Sequence, residues 1–170
     1  MRRQWLLMSG ALLLLWALTA QINHYLAGHG VHLFVGALYV TFTALQFPAR
    51  SGLLLSAAAG LFCDAVAPVP PGTHLLLFAL AHAMICKSRH RLPADHGTSQ
   101  VIIALIANAA LYLALSLILI VRQPVIAQLW PRLIWDLLLS EIFIALIGPW
   151  FFALQSRIID LNRFALRGRL

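Results

Sequence analysis

QVIIALIANAALYLALSLILIV, from Gln100 to Val121, runs for 22 residues without one charged side chain. A helix rising 1.5 Å per residue covers about 33 Å over that length, enough for a hydrocarbon core of about 30 Å. Five more apolar runs flank it: Trp5 to Ile22, Leu26 to Phe47, Gly52 to Ala67, Thr73 to Cys86 and Leu133 to Leu154. Such runs must satisfy their own backbone hydrogen bonds in lipid, so each reads as a helix. Their lack of strict polar and apolar alternation excludes a β-barrel. The expected fold class is all-α: a polytopic bundle of six transmembrane helices with short loops.

The whole chain agrees with this. Of its 170 residues 62% are hydrophobic and 10% charged, and the mean hydropathy is +0.89. A water-soluble fold is thereby excluded. Six spans of about 20 residues leave about 50 for connections and tails, too few for a separate catalytic domain. Residues 1–154 are expected to form one transmembrane domain, and residues 155–170 a basic cytoplasmic tail lying as a short helix on the inner leaflet. The opening Met1, Arg2 and Arg3 before an apolar run resembles a secretory signal, but Leu18 is bulky for a cleavage site, so an uncleaved first span is expected.

Twelve basic residues outnumber five acidic ones, giving a net charge of +7. They lie between apolar runs rather than among exposed aromatics, so they mark orientation, and no nucleic acid partner is expected. Counting by alternate sides, Arg2, Arg3, Arg50, Lys87, Arg89, Arg91, Arg157, Arg163, Arg167 and Arg169 fall on one side, and only Arg122 and Arg132 on the other. Both termini are therefore expected in the cytoplasm. The third and fourth runs are short and either cross with little tilt or form a re-entrant hairpin. Both versions keep an even number of crossings. Pro124 and Pro131 bracket an apolar stretch, Val125 to Trp130, expected along the outer interface with Trp130 and Trp135 as anchors. Pro149, after Gly148, is expected to kink the last helix.

Gly52, Ser56, Gly60 and Asp64 recur every four residues and share one helix face. Such a stripe admits another helix closely, either from within the chain or from a partner protein. Asp64 falls near the outer end of its span, opposite His74 across a turn rich in proline that ends at Gly72. A hydrogen bond between Asp64 and His74 is within reach and would staple the hairpin. Asp136 lies four residues from Arg132, the spacing of a helix ion pair. Glu141 lies deeper and is read as buried between helices, facing Asn108. A role in proton relay is the minority reading. His82 is expected to hydrogen-bond a neighbouring helix. His24, His29, His32 and His74 gather near the outer face, with His29 and His32 on one helix side. Without a Cys-rich or His-Glu-x-x-His motif, neither metal nor cofactor is expected. Cys63 and Cys86 lie near opposite membrane faces and are read as unpaired. Ser9, Ser56, Ser116 and Ser140 form no nucleophile elbow, so no enzyme activity is expected.

Ser51-Gly52-Leu53-Leu54, then Gly60-Leu61-Phe62-Cys63-Asp64-Ala65, then Pro71-Gly72-Thr73-His74-Leu75-Leu76-Leu77, resembles the central signature of the MreD family of rod shape-determining membrane proteins. Gly60, Asp64, Gly72 and His74 are the matching positions. The resemblance implies a non-enzymatic scaffold of the bacterial elongation complex, in the inner membrane. There it would bind MreC and, with MreB and RodA, couple cytoskeletal filaments to peptidoglycan synthesis. Lys87, Arg89 and Arg91, with Arg163, Arg167 and Arg169 of the tail, are expected to meet anionic lipid or an acidic partner at the inner leaflet. The alternative from another class is the substrate-binding membrane subunit of an energy-coupling-factor type transporter, with Asn23, His29, His32, Asp64 and His74 lining an outward pocket.

Overall fold

The computed structural model describes residues 2–65, 67, 69–89, 97–120 and 130–167, with side chains described for residues 10–65, 67, 69–89, 97–120 and 130–158. Among these residues every regular element is a helix: α1 (Arg2–Leu26), a 3-10 turn (Ala27–His29), α2 (Gly36–Gln46), α3 (Ala49–Asp64), α4 (Thr73–Ser88), α5 (Gly97–Ile120) and α6 (Trp130–Arg167). By length and composition, residues Gly97–Ile120 and Trp130–Ile158 are each able to cross a membrane alone, and α4 is a shorter apolar helix.

The short α2 sits in the middle, against α3, α4, α5 and α6. Every residue from Ala37 to Ala44 is buried, so this largely apolar helix is covered all round and forms the centre of the core. Phe42 meets the rings of Phe47, Phe151 and Phe152 at centroid distances of 6.1–6.4 Å, tying α2 to the later part of α6. The most extensive pairing is the α3–α4 hairpin, followed by α5 against α6. At Gly148 a side chain would press on Val101, so α6 comes close to α5 there. Contacts of α1 with the rest are few, Trp16 meeting Phe62 of α3 edge-on at 5.1 Å.

Away from the core, the helices leave apolar stripes uncovered at helical spacing. These are Leu76, Leu80 and Met84 on α4, Ile102, Ile106, Leu113 and Leu117 on α5, and Leu138, Ile142, Leu146 and Trp150 on α6. Trp150 is 80% exposed and Leu76 and Leu146 are each 69% exposed, values a water-soluble surface does not tolerate in continuous bands.

Two expectations of secondary structure are corrected. The run from Leu26 to Phe47 is not one helix: it is helical only from Gly36, after the 3-10 turn and an irregular stretch at residues 30–35. Gly28, Gly30 and Gly36 supply the weakness, since glycine costs helix stability at each occurrence. His29 and His32 consequently do not share a helix side. The expected boundary at Leu154 is also absent. One helix continues from Trp130 through Pro149 to Arg167, so the basic tail extends α6 rather than forming a helix of its own. The stretch expected along the outer interface falls largely on residues 121–129, outside the described residues; Trp130 and Trp135 lie exposed on α6.

Candidate functional site

The first four amides of a helix have no partner within it and must find acceptors elsewhere. At the start of α4 the preceding residue is Gly72, whose φ of +89° suits glycine alone and which carries no side chain to cap with. Asp64, the last residue of α3, supplies the acceptor instead. Its Oδ1 accepts from the His74 amide at 2.9 Å and lies 2.9 Å from His74 Nδ1. Its Oδ2 accepts from the amides of Gly72 at 3.0 Å and Leu75 at 3.1 Å. Thr73 N–H goes to the Pro70 carbonyl and Leu76 N–H to that of Gly72, so the first turn is fully satisfied. A carboxylate at a helix N-terminus also meets the positive end of the helix dipole. The His74 ring lies between Phe34 and Phe78, at 6.5 and 5.9 Å between centroids.

The close approach behind this cap comes from Gly60. A side chain there would stand 2.6 Å from both the His74 carbonyl oxygen and the Leu75 Cα. One turn earlier, Ser56 Oγ lies 2.8 Å from Thr43 Oγ1 of α2 and 3.1 Å from His82 Nδ1 of α4. His82 Nε2 lies 3.3 Å from the Ala49 carbonyl oxygen. At Gly52 a side chain would run into His82 and the Thr43 carbonyl. The four-residue stripe Gly52, Ser56, Gly60 and Asp64 is therefore covered by α4 and α2 of the same chain. Within the chain, the helices that come close to this face are internal ones.

The irregular stretch at residues 30–35 is held by a second set of side chains. Asn23 of α1 accepts from the Leu33 amide at 2.8 Å and donates to its carbonyl at 2.9 Å. Asp136 of α6 accepts from the His32 amide at 3.0 Å, and Ser140 Oγ from the Phe34 amide at 3.0 Å. Val31 N–H reaches the Leu26 carbonyl. Backbone outside a helix needs such partners wherever it is kept from water. Asp136 makes no ion pair with Arg132, contrary to the spacing argument. Arg132 is exposed, while Asp136 is 5% exposed and turned to the backbone of residue 32.

Deeper in the bundle, Asn108 Nδ2 donates to Glu141 Oε1 at 3.1 Å, joining α5 to α6. At the opposite end from Asp64, Lys87 is exposed in the last turn of α4 and Arg89 donates to the Phe47 carbonyl at 3.3 Å. Arg91 and Arg169 lie outside the described residues. Arg163 and Arg167 lie on α6, their side chains likewise outside what is described. Cys63 and Cys86 are free.

Reading the sequence missed Ser140, Thr43 and the use of Asp136. Their partners are backbone groups or residues far away in sequence, and spacing on one helix carries no trace of either. The glycines at 28, 30 and 36 were the available signal that backbone would need outside partners there.

Comparison with known proteins gives one match. A family model described as rod shape-determining protein MreD covers residues 1–158. No curated protein and no solved structure matches.

Proposed function

Since the chain belongs to the MreD family of rod shape-determining membrane proteins, we propose that it serves the bacterial cell-elongation complex as a non-enzymatic scaffold in the inner membrane. In this reading it links MreC and the MreB cytoskeleton to peptidoglycan synthesis. One observation carries this reading: the polar side chains of the outer half bind the chain's own backbone. Asp64 caps α4, while Asn23, Asp136 and Ser140 hold residues 32–34. An outward substrate pocket needs such groups free. Committed to the fold, they favour a rigid body that offers helix faces to partners over a carrier that opens and closes.

All six helices cross the membrane in this reading, with both termini in the cytoplasm. The second crossing is composite. Residues 31–35, at no more than about 3.3 Å each, and the 11 residues of α2 at 1.5 Å together reach at most about 33 Å, the order of the hydrocarbon core. At 16 residues each, α3 and α4 span about 24 Å. Their polar ends, Asp64 with His74 on one side and Arg50 with Lys87 on the other, then lie at the two interfaces.

Affinity capture of the tagged chain from bacterial membranes tests the role. MreC recovered with the chain, together with loss of rod shape when the chain is depleted, is the expected result. Recovery of an ATPase pair without MreC, in cells whose shape survives depletion, rejects it in favour of uptake.

A further inference from the structure

Where α3 begins and α4 ends, Ala49, Leu53, His82, Ala83, Lys87 and Arg89 line an open groove of about 400 Å³. Its lining divides by chemistry. Leu53 and Ala83 are exposed and continue into the uncovered apolar faces formed by Leu54 on α3 and by Leu80 and Met84 on α4. Lys87 and Arg89 stand at the other end, with Arg50 exposed beside Ala49, and no carboxylate lines the groove among the described residues. Arg89 uses one nitrogen on the Phe47 carbonyl, which leaves further guanidinium donors for a second acceptor.

An occupant complementary to this lining is anionic at one end and apolar along the rest. We propose that the groove holds an anionic phospholipid, its phosphate between Lys87 and Arg89 and an acyl chain along Leu53 and Ala83. A free phosphate leaves the apolar wall without purpose, and the groove opens onto the same faces that lie uncovered in the bundle. The proposal rests on the reading above, in which this end of the hairpin meets the cytoplasmic leaflet, where anionic headgroups concentrate.

Native mass spectrometry of the full chain in neutral detergent, titrated with phosphatidylglycerol or phosphatidylcholine, tests the site. Phosphatidylglycerol is retained in preference. Lys87→Gln lowers its retention about fivefold, the contribution of one basic residue near a membrane surface. Ala83→Phe, which fills the apolar wall and leaves every charge in place, lowers retention of the same lipid, and millimolar inorganic phosphate does not displace it. Equal retention of the two lipids, or retention indifferent to both substitutions, overturns the proposal. Displacement by inorganic phosphate alone also overturns it, in favour of a simple anion site. Both substituted residues are exposed, and unchanged thermal unfolding verifies that the variants fold. Binding in detergent does not depend on sidedness, so a negative result here is distinct from a failure of the membrane topology, which labelling reads separately.

Discussion

Gly60→Ala adds a single methyl group at the tightest point of the α3–α4 hairpin. The new carbon would stand 2.6 Å from the His74 carbonyl oxygen and the Leu75 Cα, whereas ordinary contact begins near 3.4 Å. Both obstacles are backbone, so no rotamer change relieves them, and the helices must part by about 0.8 Å. At least one of the Asp64 hydrogen bonds one turn away, now 2.9–3.1 Å, would then stretch beyond useful length. Overpacking of this kind costs about 1–3 kcal/mol, and each weakened bond to a charged acceptor adds about 1.5 kcal/mol. Losing one such bond brings the expected total to about 3 kcal/mol, or a Tm lower by about 6–12 °C in a chain of this size. Thermal unfolding of purified protein in detergent measures it, with Gly10→Ala as control. Gly10 is helical, exposed and free of neighbours, so alanine there is neutral or slightly stabilising. A Tm change for Gly60→Ala under about 2 °C refutes the close-contact reasoning.

Three further outcomes are expected. In a double-mutant cycle Asp64→Ala costs more than His74→Ala, because the carboxylate serves three amides as well as the ring, and the pair couples by about 1 kcal/mol; strict additivity in unfolding measurements removes the ring contact from the account. Asp136→Ala and Ser140→Ala each release one amide of the irregular stretch, raising hydrogen exchange at residues 31–35 and costing about 1–3 kcal/mol apiece; unaltered exchange shows that the stretch is held by something else. Gly72→Ala forces a side chain into φ +89° and costs about 1–2 kcal/mol, whereas Gly28→Ala, with open space and ordinary φ, changes Tm little; equal effects at the two sites contradict the assigned turn geometry.

Hydropathy made the long helices legible, because a run such as Gln100 to Val121 has one way to satisfy its backbone in lipid. The α3–α4 hairpin was legible for a different reason. Its small residues and Asp64 fall at one helical spacing, and Gly72 and His74 follow within a turn too short to carry them elsewhere. The break in the second run was marked in the sequence by Gly28, Gly30 and Gly36 alone, since Val31 to Val35 is as apolar as its neighbours. What stops the helix there is the supply of acceptors from Asn23, Asp136 and Ser140, two of them more than 100 residues away. The single-helix spacing of Arg132 and Asp136 misled for the same reason: a backbone amide held by tertiary structure takes the carboxylate while the arginine stays in the open. The extent of α6 escaped because the change to basic composition after Leu154 read as an ending, yet it does not interrupt the helix.

The most direct test of a bundle crossed by α3 and α4 is cysteine accessibility at the two ends of α4, in a chain whose Cys63 and Cys86 are first replaced. Pro71→Cys and Ser88→Cys both introduce thiols at exposed positions. The account predicts that a membrane-impermeant maleimide labels residue 71 in intact spheroplasts and residue 88 only in inverted vesicles. Labelling of both from the same side contradicts it.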